Sequence, residues 1–439
     1  MKRRTVKRRT VKRRVVITGV GVVSPIGSTK RAFFDGLRQA RPGVAPIVSF
    51  DASAFSTRIA GEVTDLPDLD PNLGRWSAGV ERALEVDRKS RFAIAAGREV
   101  LGQAFSRRPM EAHYAPERRG LLLGAGLEIF DLTDLVPHVR GDALDGPALR
   151  EDLAAAPPQG KLQIPADLGA RCLAEEAQIE GHYQVNVSAC AAGTQSLGEA
   201  YFAIEDGAID LALCGGYDSM VNPLGLGGFT LLRALSTKNE LTGAASMPFD
   251  RRRDGFVLGE GAAVFVVEEA RSARDRGAEI LGEILGYGTS LDAFRVTDPP
   301  PDHAGAVVSM RRALAHARLE AKAIDYVNAH GTGTKKNDPA EAKAITTVFG
   351  DHRVPVSSSK SQFGHLIGAA GAVEALAGLF AISENILPAT INLEQPDPDC
   401  DLNHVAQKPR PAEVRRVMSN SFGFGGQNAT IILGEVEDG

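Results

Sequence analysis

A chain of 439 residues exceeds what one ordinary hydrophobic core supports, so two packed units or one large duplicated α/β body are expected; 43% hydrophobic and 24% charged residues give a globular balance. The formal net charge of −5 argues against a general nucleic-acid binder, and Cys172, Cys190, Cys214 and Cys400 lack metal-ligand spacing and suit a reducing, cytoplasmic setting. No run approaches the about eighteen apolar residues of a membrane span, and 47 glycines predict many tight turns.

The chain opens on a tandem Lys-Arg-Arg-Thr-Val unit within Met1–Arg14. A basic start before an apolar stretch resembles a signal peptide, but Val15 to Gly21 is a short β-type run broken by Gly19, Pro25 and Gly27 follow, and no small-x-small cleavage site appears. Residues 1–14 are therefore read as a disordered basic tail. A strand is expected at 15–22, a helix at 29–39, loops over 41–76, a helix at 89–105 and a strand at 120–126. The Asp- and Pro-containing stretch 127–161 reads as a helical insertion with loops, 168–178 as a helix, and 211–215 as a strand. Residues 225–262, rich in Gly, Arg and Asp, read as a long ordered loop over a pocket. Beyond it, strands at 262–268, 280–290, 324–329, 354–357, 417–421 and 429–433 alternate with helices at 303–317, 339–349 and 367–381. These repeated units predict a mainly parallel, covered sheet in two similar α/β halves, 15–268 and 269–439, with no residue-level repeat between them.

Candidate chemistry falls on the turns. Cys190, in Val187-Ser188-Ala189-Cys190-Ala191-Ala192-Gly193, lies where a strand gives way to a helix. The positive end of a starting helix favours a thiolate there, although a single cysteine is more often a small buried hydrophobe. His330 sits in Asn328-Ala329-His330-Gly331-Thr332-Gly333-Thr334, and Lys360 and His365 sit five residues apart before the small-residue helix from Ile367. Each alone has a structural reading, as a hydrogen-bonded turn, a loop charge and a helix start. Together they mark strand-to-helix turns, where α/β sheets build sites. A cysteine can accept an acyl group from a thioester. Decarboxylation of a malonyl thioester then supplies a carbanion if its enolate oxygen is held by positioned donors, and two neutral imidazoles donating through Nε2 would hold it. Lys360 would balance charge, with Glu341 as its carboxylate partner.

Six stretches carry a resemblance: VVITGVGVVSPIG, VSACAAGTQSLGEAY, MPFDRRRDGFVLGEGAAVFVVEE, VNAHGTGTKKNDPAEA, SSSKSQFGHLIGAAGAVEA and SNSFGFGGQNATIIL. In order and nearly spanning the chain from Val15, they resemble the β-ketoacyl-acyl-carrier-protein synthase I/II branch of the thiolase-fold condensing enzymes of fatty-acid and type II polyketide synthesis. The resemblance implies a layered α/β/α/β/α body of two βαβαβ halves, with Cys190 as acylated nucleophile and His330 and His365 supporting decarboxylation. It implies Lys360 and Glu341 as a supporting charged pair. It also implies Phe424 as gate, with the Cys190 and Phe424 amides as oxyanion hole, and Phe256, Thr332, Thr334 and Phe422 lining the substrate pocket. The charges from Asp250 to Asp254 would pin the loop carrying Phe256. No metal or nucleotide cofactor is implied, since acyl groups arrive on the phosphopantetheine of an acyl carrier protein. The partners are that carrier, docking on Arg82, Arg88, Lys89 and Arg91, and a second subunit in a homodimer or heterodimer.

The family's usual Thr-Ala-Cys is Ser188-Ala189-Cys190 here, a small-for-small change, whereas Leu127 to His182 departs more, which leaves acyl chain length open. A thiolase proper would need a second cysteine in a C-terminal Cys-x-Gly motif. The synthase III branch would carry Asn in place of His365. A non-catalytic chain-length partner would lack the nucleophile. Gly19-Val20-Gly21 lacks the later glycine of a dinucleotide fingerprint, and 331–336 does not fit a P-loop.

Overall fold

Every residue of the strand Val15–Val23 is buried, as in a strand covered on both faces. In the computed structural model, which describes residues 12–66, 78–106, 109–130, 136–141, 143–155 and 163–436, this strand (β1) lies within an eleven-stranded sheet. The others are β2 (Arg119–Ala125), β3 (Tyr183–Asn186), β4 (Leu211–Ser219), β5 (Glu260–Glu269), β6 (Gly282–Leu291), β7 (Tyr326–Asn328), β8 (Pro355–Ser357), β9 (Asn403–His404), β10 (Arg416–Gly423) and β11 (Gln427–Gly434). The spatial order is β9-β8-β7-β10-β11-β6-β1-β5-β4-β2-β3.

That order contains the same array twice. In the first half β3, β2 and β4 run parallel, and β5 and β1 follow antiparallel. In the second, β8, β7 and β10 run parallel, and β11 and β6 follow antiparallel. The arrays join where Val15–Ile17 pair antiparallel with Gly282–Ile284. The sheet is thus mixed, not mainly parallel. The tight connection between Gly423 and Gln427 turns the chain straight back, whereas a parallel pair needs a crossover.

Seven helices make the layers: α1 (Lys30–Arg38), α2 (Arg88–Ala104), α3 (Leu168–Glu176), α4 (Ala192–Glu205), α5 (Ala304–Ala317), α6 (Asn337–Phe349) and α7 (Ala370–Glu384). Helix α2 covers β1 and β5 with α3 beside it, and α5 covers β6 and β11 with α6 beside it. Between them α4 and α7 touch each other and strands of both halves, giving the α/β/α/β/α thiolase-type arrangement. Ile367–Glu384 is apolar enough to cross a membrane by length and composition, with mean hydropathy 1.4, yet 89% of it is buried in this middle layer. It is a core helix, expected at 367–381 and found as a 3-10 turn at Ile367–Ala369 running into α7.

A residue-level repeat does exist, at the heart of the fold. Ala191-Ala192-Gly193 and Ala369-Ala370-Gly371 open the two central helices, each after a 3-10 turn whose first residue is left-handed, Ala189 at φ 49° and Ile367 at φ 44°. A Cβ on Gly193 would lie 2.7 Å from the amide nitrogen of Ala372, and one on Gly371 2.8 Å from that of Thr194. The two contacts are equivalent under the internal pseudo-two-fold, and only glycine permits the approach.

Other differences are local. The segment read as a long loop begins with a helix, Pro223–Leu231, capped by Asn222 and concealed by its three glycines. A short helix that was not expected occupies Ala78–Val86, whereas Gly146–Ala155 is helical as expected within 127–161. In the tail, Lys12, Arg13 and Arg14 are tied down by Glu205, Asp210 and Glu283. The remaining tail, 1–11, and parts of the expected loops at 41–76 and 127–161 lie outside the described residues.

Candidate active site

The turn before α4 presents Cys190. Ala189 holds a conformation that side chains disfavour, the kind of strain that aims a residue at a site. Asn186 steadies the turn by donating to Ala192 O at 3.2 Å and to Ser196 Oγ at 2.6 Å. Across from it, the loop after β10 approaches through Gly423, where a Cβ would meet Ser188 O at 3.0 Å and Cys190 N at 3.3 Å. The backbone N–H groups of Phe424 and Cys190 both favour the ionised sulfur.

The thiol itself corrects an expectation. Burial pushes Cys190 up to about 11, outweighing the Phe424 amide, the Lys360 charge and its own amide. The helix start alone does not deliver a resting thiolate, because Cys190 is 3% exposed and the charged form lacks water.

The second half supplies the imidazoles from the equivalent edge of its array. His365 Nε2 lies 3.1 Å from Cys190 Sγ, and Nδ1 accepts the Ile367 N–H at 3.2 Å. Its backbone is clamped by Val257 O and the Gly259 N–H, which also sets Phe256 edge-on to the ring at 5.2 Å. The His330 ring stands 5.3 Å from that of His365, and Lys360 Nζ lies 3.3 Å from its Nδ1. An ammonium only donates, so both Nδ1 atoms accept and both neutral rings carry their proton on Nε2. Neutral they are: burial first, then the Lys360 charge, hold both well below the usual histidine value.

One nitrogen of each ring and the sulfur lie within 4.8 Å of one another, a spacing that would suit a metal ion. The tautomers oppose that use. A ring bound to metal through Nε2 must carry its proton on Nδ1, where Ile367 N–H and Lys360 already point hydrogens. The arrangement suits donation to an oxygen.

Lys360 is fixed differently from expectation. It pairs with Glu374, not Glu341, and donates to His330 O at 2.6 Å. Glu374 projects from the apolar α7 straight at the lysine. Glu341 instead accepts the N–H groups of His330 and Gly331 at 2.8 and 2.7 Å, securing the histidine turn. Burial pushes both carboxyls up to about 7, opposed by the Lys360 charge in Glu374 and first by the Gly331 amide in Glu341. Glu374 was readable: an acid in the middle of an apolar helix must find a buried partner.

Cys190, His330 and His365 line a cavity of about 290 Å³, together with Phe256, Thr332, Thr334, Phe422, Phe424 and Asp254. Phe424 stacks on Phe229 at 6.3 Å, Phe422 is edge-on to His330 at 5.8 Å, and the Thr332 and Thr334 hydroxyls lie 3.1 Å apart. Arg252 and Arg253 hold the 250–254 turn through Asp250, Asp397 and Thr334 O. The basic docking set does not reach this cavity. Lys89 is wholly buried on Asp87, Arg88 is engaged by Glu260, and neither Arg82 nor Arg91 lines the opening. The exposed cations at the mouth are Arg233, Arg295, Lys335 and Lys336, of which Arg295 and Lys336 are held by Asp298.

The comparisons agree with this architecture. The models for the beta-ketoacyl synthase N-terminal and C-terminal domains match residues 12–273 and 281–394. The chain is 40% identical over 432 residues to 3-oxoacyl-[acyl-carrier-protein] synthase 2 of Coxiella burnetii, covering 96% of this chain and 99% of that one. It is 38% identical over 421 residues to its namesake from Synechocystis, covering 95% and 96%. Among solved structures, a beta-ketoacyl synthase from Burkholderia phymatum superposes with a TM-score of 0.85 at 32% identity, covering 97% of this chain and all of the other. The ishigamide ketosynthase/chain length factor does so with 0.80 at 35%, with the same coverage. A doubled thiolase-type array, a cysteine at one central helix start, a histidine at the other and matches running almost end to end leave one conclusion: the chain belongs to the β-ketoacyl synthase family.

Proposed function

We infer that this protein is an acyltransferase that joins a Cys190-bound acyl group to malonyl-acyl carrier protein with loss of CO2. The observation that carries the reading is the pair of neutral imidazoles whose Nδ1 atoms are both occupied by donors, leaving two Nε2–H groups beside the buried thiol.

Cys190 Sγ attacks the incoming thioester carbonyl, whose oxygen is received by the Cys190 and Phe424 amides. The carrier thiol departs with the proton that Cys190 gives up. When malonyl carrier follows, the bond to CO2 breaks, its electron pair passes to the enolate, and the enolate oxygen accepts hydrogen bonds from His330 and His365. The enolate carbon then attacks the acyl carbonyl, the carbon–sulfur bond breaks, and Cys190 takes up one proton. Its elevated thiol affinity for protons favours that return. Residues 15–268 thus provide the nucleophile and 269–439 the histidines.

The carrier docks at the cavity mouth, where Arg233 and Lys335 are exposed cations beside the exposed Leu232 and Val296. A second subunit pairs along β3, an edge strand that begins at the exposed Tyr183 and is followed by the exposed Val187. The AntDE:AntF structure, 27% identical with a TM-score of 0.81, is a type II acyl-carrier protein in complex with its ketosynthase. Four free, buried cysteines fit a cytoplasmic setting. A non-catalytic chain-length partner would have no use for Cys190 with both imidazoles, and that reading is not favoured.

Intact-mass analysis with a panel of acyl-carrier thioesters tests the first step. Wild type should gain one acyl mass and Cys190→Ala none. Wild type that never gains mass, or an alanine variant that still condenses, sinks the reading.

A further inference from the structure

His303 has no place in the steps above, yet it is built into the same cavity. It is 2% exposed, lines the cavity wall and stands 6.4 Å from Phe422, whose other neighbour is His330. It thus lies one aromatic ring away from the chemistry. Its position is stiff: it holds a left-handed φ of 47° as the residue before α5, donates its N–H to Pro300 O at 3.0 Å and accepts the Val307 N–H at 3.1 Å.

What the ring lacks is a partner. Nε2 is fully buried without a hydrogen bond, and among the described residues neither ring nitrogen is engaged. Buried polar groups are almost always satisfied, and an exception in a cavity wall asks what satisfies it during function. Burial holds the ring down to about 4, so it is neutral and offers one donor and one acceptor. An anion would seek a cation. The complementary partner is a neutral amide or hydroxyl.

We propose that His303 is an arm-binding residue: its imidazole hydrogen-bonds the outer amide of the phosphopantetheine arm, the one nearer the phosphate, as the thioester passes from the mouth to Cys190. The proposal rests on the carrier-dependent synthase reading above. The outer amide is chosen because the Phe422 ring stands between His303 and His330, and His303 shares the cavity wall with Asp298, Lys335 and Lys336 of the mouth, alongside the stretch of arm that trails the thioester.

The test compares two malonyl thioesters on acylated enzyme: malonyl-phosphopantetheine, which has both amides, and malonyl-N-acetylcysteamine, which lacks the outer one. His303→Leu should raise the KM of the first roughly tenfold, the ordinary consequence of one lost hydrogen bond, with kcat within twofold. The KM of the second should not respond to residue 303, and His303→Gln should recover most of the loss. Thermal melts of both variants separate misfolding from a lost contact, with the glutamine variant as the folded reference. Equal KM changes for both thioesters, or none for either, would overturn the proposal. A wild-type enzyme that acyl-carrier thioesters never acylate, or that once acylated condenses with neither malonyl thioester, would instead remove the synthase reading, and this inference with it, so the two failures are told apart by the wild type alone.

Discussion

Replacing Glu374 by leucine interrogates the least visible part of the site. Glu374 and Lys360 are 0% and 1% exposed, and the carboxylate is the lysine's only acidic partner among the described residues. Removing one member of a buried pair leaves an unbalanced charge in a medium that cannot solvate it, which costs about 3–5 kcal/mol. At about 2.1 cal/mol/K of unfolding entropy per residue, over 439 residues, that corresponds to a melting shift of about 3–5 °C. The functional loss has a separate origin. Lys360 makes His330 Nδ1 an acceptor, and a lysine freed to neutralise no longer does, so the Nε2–H donor ceases to be fixed. Loss of one oxyanion donor typically costs about 10²–10³ in rate. Scanning calorimetry and CO2 release from malonyl carrier would read the two effects. The double variant Lys360→Met with Glu374→Leu should regain most of the stability, since no charge remains, while CO2 release stays low. A double variant that regains both, or a Glu374→Leu enzyme with wild-type melting and rate, would refute the reasoning.

Three further outcomes follow from the geometry. Gly423→Ala should cut Cys190 acylation by about 10²-fold while melting changes little, because the added methyl pushes the Phe424 amide away from the sulfur; acylation at the wild-type rate would show that this amide is not the oxygen's donor. The alkylation rate of Cys190 by iodoacetamide should climb about tenfold per pH unit from 7 to 10, because only the thiolate reacts and burial raises the thiol to about 11; a plateau below pH 8 would restore the helix-activated thiolate. Arg233→Glu with Lys335→Glu should raise the carrier's KM roughly tenfold at low salt and less at high salt, whereas Arg82→Glu should not; the reverse ranking would return docking to the start of α2.

Much of the site was legible because motif chemistry is local. Cys190, His330 and His365 each sit on a turn that glycine and small residues announce, and the alternation of strands and helices located nearly every element of the central sheet. What escaped was non-local. Strand direction depends on how the chain returns, so the antiparallel pairs around β1 were not visible. The Lys360 partner was assigned by sequence proximity to the His330 turn, but Glu374 reaches it from a helix inspected only for its apolar residues. The repeated Ala-Ala-Gly lay in plain sight, and its meaning emerged once both copies were seen to cross at one point. The thiol's proton affinity is a balance between burial and three favourable contributions, and no single stretch contains that sum. His303 drew no attention as a helix start, because only the cavity wall shows that its ring has no partner.

The central claim is that decarboxylation and carbon–carbon bond formation occur at one Cys190–His330–His365 site. The most direct measurement uses malonyl carrier labelled with ¹³C in its free carboxyl group, with acyl-loaded enzyme in a single turnover, following labelled CO2 and β-ketoacyl carrier together. The account predicts one CO2 per product and an unlabelled product. It also predicts that His330→Ala and His365→Ala abolish both signals together while Cys190 still becomes acylated. Product that retains the label, or a histidine variant that releases CO2 and forms product at the wild-type rate, would contradict it.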